Sequence, residues 1–443
     1  MVQIDFNGID ASDAETLEKS LLNTLDEIAR QHEIELSYDL LTNKFVELFA
    51  ELHKKYRKDI VVLIDEYDKP VITHLGKGEL DLRIAQKNRD ILGMFLGVLK
   101  SIATLRLVFI TGISRFNFTN MFSGLNNLQN LSMYRDYAEL LGFTEAEVEQ
   151  YFKPFVSTLA EENGLSYNDC LERMKTWYHG YRFATTKSKL YNPFSILHAL
   201  KNRSFKNFWF ESGSPNFLVN LIEEKNYSIP DIENLQVRET TLSGYELEKL
   251  NLEALLFQSG YITIHDDDGI LFHLGYPNQE VKTAFLSFIY HNLVKIADTT
   301  LQAQFSRLHQ YLAQEGLEQF IETTNAILAA IPYTQIRGQA TPEGNEQYYH
   351  TVFYLMVAAS GVLVHTEPLS SHGRMDIAVE FKDKVYVIEL KCNQSADAAI
   401  QQIHAKRYHE KYLQSGRRIH LMGINFSTTE RRIVDWRMET IGS

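Results

Sequence analysis

The 443-residue sequence has only two cysteines, Cys170 and Cys392, far apart in the chain. This excludes a disulfide framework and points to a reducing compartment. Neither cysteine has Cys or His neighbours at metal-ligand spacing, and Cys392 reads as a small half-buried thiol. Proline is scarce, at nine residues, and there is no low-complexity run. Long disordered linkers are therefore not expected. No apolar run approaches membrane-spanning length, and the N-terminus lacks a signal-peptide pattern. No membrane association is expected, and a cytoplasmic location is the default. Positive charge is in deficit, with 44 Lys and Arg against 57 Asp and Glu, for a net charge of −13. That argues against a protein that coats nucleic acid non-specifically.

What is present suits a folded protein: 44% hydrophobic and 23% charged residues, with 26 Phe and 23 Tyr for large cores. The length predicts two or three domains. Charge is unevenly spread. From Gln401 to Ser443 there are eight Lys or Arg and four acids. Such a stretch either faces phosphates or is a solvated helix face and turn.

The stretch Gly373–Lys391, GRMDIAVEFKDKVYVIELK, carries the clearest chemistry. It reads as a β-hairpin, with two apolar runs joined by a polar return at Lys382, Asp383 and Lys384. Strand alternation puts Glu389 and Lys391 on one face and Leu390 on the other. Pairing the strands brings Asp376 towards Glu389, with an ammonium beside both. Two carboxylates hold a hard cation such as Mg²⁺, which activates water and takes up phosphate charge. A lysine orients that water or stabilises developing negative charge. A surface hairpin with an ordinary Glu/Lys pair is the plainer alternative. A helix is predicted from Asp397 to Tyr412, capped by Asp397, with Gln402 and Lys406 on one face. His420–Phe426 reads as a further strand.

Near the N-terminus, Val2–Phe6 reads as a strand. Ser12 and Glu15 have capping-box spacing, and Leu17, Leu21, Leu25 and Ile28 form a helical stripe. A second amphipathic helix carries Phe45, Leu48, Phe49 and Leu52. Val61–Ile64 predicts a strand buried on both faces that ends in Asp65 and Glu66. This is the form of a Walker B strand, in which Asp65 reaches Mg²⁺ and Glu66 polarises the attacking water. A second apolar strand, Leu105–Ile110, ends at Thr111, with Arg115 just beyond. Strand ends of this kind bind ligands in open α/β sheets.

The order strand, strand, helix, strand with polar inner ends resembles the PD-(D/E)xK nuclease core. GRMDIAV, YVIELK and AIQQIHAKRYHEKY resemble the C-terminal nuclease domain of a bacterial family of AAA-ATPase-like proteins. VVLIDEYDKPVITHL, FITGISRFNFTNMFSGLNNLQNLS, LLGFTEAEVEQYF, WYHGYRF, YNPFSIL and FWFESGSPNFL resemble the same family, in the expected order. The resemblance implies Mg²⁺ or Mn²⁺ at Asp376, Glu389 and the Leu390 carbonyl. It implies that Lys391 and Gln402 serve the reaction and that the first-helix acid Glu346 completes the site. It also implies nucleotide contacts from Asp65, Glu66, Thr111 and Arg115. His350 reads as a satisfied helix histidine, and Glu367 is a weaker candidate than Glu346.

One departure stands out. The family's GxxxxGK[ST] phosphate loop is absent: Gly76-Lys77 is the sole Gly-Lys pair, Gly78 follows it, and Val71 stands where the first glycine belongs. The chain reads as starting at the family's second strand, as a truncated gene, an internal start or a subdomain would. Without that loop's amides and lysine, ATP hydrolysis by this chain alone is not expected.

The expected fold is α/β: a truncated P-loop-type parallel sheet over 1–140, a mostly helical region over 141–335, and a restriction-endonuclease-like α/β domain over 336–443. Within the middle, Trp177–Phe183 reads as a packed hinge rather than a partner or nucleotide-edge surface, because only His179 and Arg182 ionise. Leu252–His265 and Ile270–Tyr276 are expected to form a winged hairpin, and Gly338–Gly344 a linker. The favoured function is a metal-dependent nuclease acting on DNA rather than RNA. The alternatives are a non-catalytic regulatory protein with protein partners, and an ATPase switch whose phosphate loop comes from a neighbouring polypeptide.

Overall fold

The computed structural model describes residues 1–114, 128–212, 216–225, 227–242, 247, 250–294, 299–331, 342–366 and 377–441. Strands β1 (Val2–Asp5), β2 (Ile60–Asp65) and β3 (Leu105–Ile110) form a parallel sheet in the order β1-β2-β3. The helix Ala14–Gln31 buries the predicted stripe Leu17, Leu21, Leu25 and Ile28. Its cap is Asp13, which accepts the Thr16 N–H, so the Ser12/Glu15 box is not used. In the helix Leu41–Tyr56, Phe45 stacks on Phe95 of the helix Glu79–Gly97, with centroids 4.3 Å apart.

The expectation that β2 is buried on both faces is corrected. Ile60, Val62 and Ile64 are buried, whereas Val61 and Leu63 are half-exposed, so one face of this small sheet is covered more fully than the other. Among the described residues β3 pairs only with β2. Its Leu107 and Phe109 are 52% and 44% exposed.

The middle of the chain is helical. The helix Glu145–Tyr151 starts with both halves of the predicted Thr144/Glu147 capping box. It packs with the helices Lys153–Glu162, Tyr167–Tyr178 and Pro193–Asn202 around a separate apolar cluster that includes Val148, Leu159, Met174 and Ile196. Between them β4 (His179–Tyr181) pairs with β5 (Leu190–Tyr191). Further on lie β6 (Leu235–Val237), β7 (Thr263–Asp267) and β8 (Phe272–Gly275), in the order β6-β8-β7. The Leu252–His265 run is divided. Asn251 caps a helix, Leu252–Gln258, by accepting the Ala254 N–H, and of the run only Thr263–His265 join β7.

The C-terminal sheet has the order β13-β12-β11-β10-β9, formed by β9 (Leu363–Thr366), β10 (Ile377–Glu380), β11 (Lys384–Cys392), β12 (Arg418–Ser427) and β13 (Arg432–Ile441). β11 and β12 run parallel and the other pairs antiparallel. The predicted hairpin is β10–β11, with the return shifted by one residue to Phe381–Asp383. Lys384, expected in the return, is the buried first residue of β11. Its Nζ reaches the Ala313 carbonyl at 2.7 Å and Glu315 Oε1 at 3.0 Å. Ala313 is in the last turn of the helix Thr299–Gln314 and Glu315 follows it, and Asn325 of the helix Leu317–Ala329 bonds both the N–H and the carbonyl of Ile433. Where a linker was expected, a helix is under way from Pro342 (Pro342–Ala359); residues 338–341 lie outside the described residues. One continuous apolar cluster runs from Val2 through the middle helices to Ile433. No helix among the described residues is long and apolar enough to cross a membrane.

Candidate active site

The carboxyl end of β11 presents the central cluster. Ile377, the residue after Asp376, is the Cα partner of Ile388, the residue before Glu389. β11 then continues to Cys392, paired with β12. Glu389 is 1% exposed, a strongly unfavourable place for a carboxylate unless charge or hydrogen bonds compensate. Lys391 Nζ lies 2.9 Å from Glu389 Oε1 and also donates to Gln402 Oε1 at 2.5 Å. Leu390 points the other way, into the apolar cluster. The face assignment read from alternation is therefore the one observed.

Gln402 reaches this point because the helix Ala396–Lys406 lies almost on the sheet. The residue opposite Glu389 on β12 is Gly423. A Cβ there would come within 2.3 Å of the Ala396 carbonyl and 3.0 Å of Ile400 Cγ1, so glycine sets the closeness of the layers. The helix is capped by Ser395, whose Oγ accepts the Ala398 N–H, and not by Asp397 as expected. It ends at Lys406 with Arg407 in the left-handed region, and a single 3-10 turn at Glu410–Tyr412 follows. Asp397 instead meets Arg437 Nη1 at 2.5 Å.

The helix Pro342–Ala359 packs on the same end of the sheet, where Tyr349 stacks on Phe426 at 5.5 Å. Glu346 belongs to this helix, but its side chain lies outside the described residues, as do Asp376, Arg115 and Glu367. His350 is buried, in keeping with a packed helix histidine. Among the described residues no group of three or more His, Cys, Asp or Glu side chains is arranged to hold a metal. What this part of the site offers a cation is hard oxygen, the Glu389 carboxylate, which suits Mg²⁺ or Mn²⁺ rather than a thiophilic metal.

The basic C-terminal stretch is largely neutralised. Arg407, Arg417, Arg418, Arg432 and Arg437 each face a carboxylate, at 2.5 to 3.8 Å. Much of its positive charge is therefore spent within the fold.

At the N-terminal sheet the structure brings three predicted residues together at the strand ends. Thr111 Oγ1 donates to Asp65 Oδ1. Glu66 follows in the left-handed region, at φ 54°, and its carboxyl is held above the usual range by burial and then by the Asp65 charge. A fourth residue was missed. Asp68 is fully buried and accepts the Ser114 N–H at 2.5 Å, the Ser114 hydroxyl at 2.8 Å and the Ile113 N–H at 3.2 Å. Burial outweighs these hydrogen bonds and pushes its carboxyl up to about 6. Gly112 is needed there, because a Cβ would meet Asp68 Oδ1 at 2.5 Å and the Tyr67 ring at 2.6 Å. The available signal was the third acid of Asp65-Glu66-Tyr67-Asp68 opposite the Thr111–Ser114 turn.

Comparison with known proteins agrees with this layout. Residues 1–122 match the family described as predicted AAA-ATPase, and residues 344–436 match the PD-(D/E)XK nuclease superfamily. A protein of Azotobacter chroococcum mcd 1, described as an uncharacterized protein in the vnfD 5′ region, is 33% identical over 449 residues. The match spans 100% of this chain and 84% of that protein. No solved structure matches. With a parallel sheet ending in Asp65 and Glu66, and a mixed sheet carrying Glu389 and Lys391, the chain belongs to the family of AAA-ATPase-like proteins with a C-terminal PD-(D/E)XK nuclease domain.

Proposed function

We propose that the C-terminal domain hydrolyses phosphodiester bonds of nucleic acid, DNA in preference to RNA, with Mg²⁺ or Mn²⁺. The observation that carries this is the buried Glu389 carboxylate with Lys391 Nζ at 2.9 Å, itself held by Gln402. Asp376, Glu389 and the Leu390 carbonyl are the proposed ligands, with Glu346 completing the set. The cation supplies a water of lowered pKa and a counter-charge for the phosphate oxygens. Lys391 holds the attacking water or the developing charge, and Gln402 fixes Lys391 in place, limiting its rotamers. The register of β10 against β11 supports the pairing of Asp376 with Glu389. A cytoplasmic location suits these reduced, buried cysteines.

The N-terminal sheet is proposed not to hydrolyse ATP within this chain alone, since no GxxxxGK[ST] sequence is present to cradle the phosphates. Asp65, Glu66, Thr111 and Arg115 are its proposed nucleotide contacts if a phosphate loop is supplied.

The test is cleavage of single- and double-stranded DNA and RNA by the full chain with Mg²⁺, Mn²⁺ or EDTA. Asp376→Ala and Glu389→Gln are each expected to cut the rate by about 10²-fold or more, with a folded far-UV spectrum. Undiminished cleavage in either variant would refute the assignment. A second reading, a non-catalytic interaction protein, draws on the neutralised arginines and the net charge of −13. It predicts no cleavage and no shift of the melting temperature with Mg²⁺.

A further inference from the structure

The Trp177–Phe183 block plays no part in either sheet's chemistry, yet it floors an open cavity of 410 Å³. The cavity is lined by Lys175 from the end of the helix Tyr167–Tyr178, by His179 and Gly180 of β4, by Lys187 and Lys189 ahead of β5, and by Glu145. Its floor has a defined shape. Gly180 sits at φ 124°, and a Cβ there would meet the Pro277 carbonyl oxygen at 2.0 Å. The chain opposite is tied in as well: His179 Nε2 lies 2.9 Å from the Lys189 carbonyl. Burial lowers the pKa of the imidazole, and because a carbonyl only accepts, Nε2–H is the donor.

The charge on the walls is out of keeping with the rest of the molecule. Three lysines against Glu145 leave a balance of two positive charges, in a chain of net charge −13. Lys175 lies 2.9 Å from Glu145 Oε1, whereas Lys187 and Lys189 have no ion pair among the described residues. A lysine near a helix C-terminus is accounted for by the helix dipole. That explains Lys175, in the last turn, but not Lys187 and Lys189, which come from a separate segment. Gathering ammonium groups in one concavity is repulsive unless an anion joins them, and the volume is that of a small-ligand site.

We propose that this cavity binds a small phosphate-bearing anion, an oligophosphate chain, held by Lys187 and Lys189 with Lys175 shared between the ligand and Glu145. Mobile ammonium donors suit a chain of tetrahedral, multiply charged groups better than a single planar carboxylate, which favours the arginine fork. The proposal is independent of the nuclease reading and of the strand ends at Asp65.

The test is isothermal titration of the full chain with sodium tripolyphosphate at fixed ionic strength. Lys187→Gln/Lys189→Gln removes both charges, at one exposed and one half-buried position, and leaves polar side chains in their place. Saturable binding of one tripolyphosphate per chain is expected, weakened roughly tenfold or more in the double variant. Lys201→Gln, on the exposed side of the helix Pro193–Asn202, is expected to bind as the unaltered chain does. Absence of saturable binding, unchanged affinity in the double variant, or an equal loss in Lys201→Gln would overturn the proposal. ATP added in competition shows whether the anion can come from a nucleotide; because binding is read directly, a failed nuclease assay has no bearing on the result.

Discussion

Asp68 shows how one side chain can fix a strand end. Its two oxygens take three donors from Ile113 and Ser114, so the turn after β3 is held to the segment after β2. The arrangement makes stability depend on pH. With a folded pKa of about 6, above the ordinary 3.8, the native state binds the proton more tightly than the unfolded chain does. The contribution is therefore complete below pH 3.8 and is lost as pH rises through about 6, by roughly 3 kcal/mol at most. Urea melts of the unaltered chain and of Asp68→Asn between pH 4 and 7 measure this. The stability difference is expected to drift against the unaltered chain as pH rises, and parallel profiles would show that the carboxyl does not titrate there. The role of Asp68 was hidden in the sequence because burial comes from the whole sheet, while the adjacent Asp65 and Glu66 carry the more familiar strand-end pattern.

At the scale of elements, the sequence marked strands and helices well, because apolar periodicity reports the buried face directly. Leu17, Leu21, Leu25 and Ile28 turn inward as their spacing requires, and Glu389 and Lys391 share a face as alternation requires. It placed caps poorly where two capping residues stood close together. Ser12 gave way to Asp13, and Asp397 to Ser395. Cap choice depends on which residue adopts an extended backbone and aims its oxygen at the free amides, and periodicity carries no information on that. Ser395, at φ −146° and ψ 157°, has that geometry. Ser395→Ala is expected to cost about 1 kcal/mol in chemical denaturation, and Asp397→Ala only a few tenths, because its pair with Arg437 is exposed. An equal loss in both would return the cap to Asp397. Gly423 belongs at this scale too. No sequence pattern distinguishes a glycine that admits a helix from one that merely loosens a strand, yet this one sets the approach of Gln402 to Lys391.

For the molecule as a whole, the sequence pointed to successive modules, and the structure adds how closely the last is joined to what precedes it. Lys384 and Tyr386 reach back to the carbonyls of Ala313 and Leu312, Arg431 to that of Ile331, and Asn325 brackets Ile433. These partners are far apart in the chain, and sequence spacing gave no sign of them. A fragment comprising 336–443 loses these contacts and bares to water the apolar side chains that pack against the helices Thr299–Gln314 and Leu317–Ala329. It is therefore expected to melt well below the C-terminal domain in the intact chain, as followed by tryptophan fluorescence of Trp436. Equal melting temperatures would mean the domain is energetically self-sufficient.

The half-uncovered flank of β3 has a practical corollary. Leu107 and Phe109 stand in water beside a row of backbone groups with no neighbouring strand among the described residues. Such a border is sticky in the same way as a growing fibril end, and natural sheets usually guard it with charge or proline. Concentrated samples should therefore cluster while still folded, so turbidity will rise with protein concentration at temperatures where circular dichroism is unchanged.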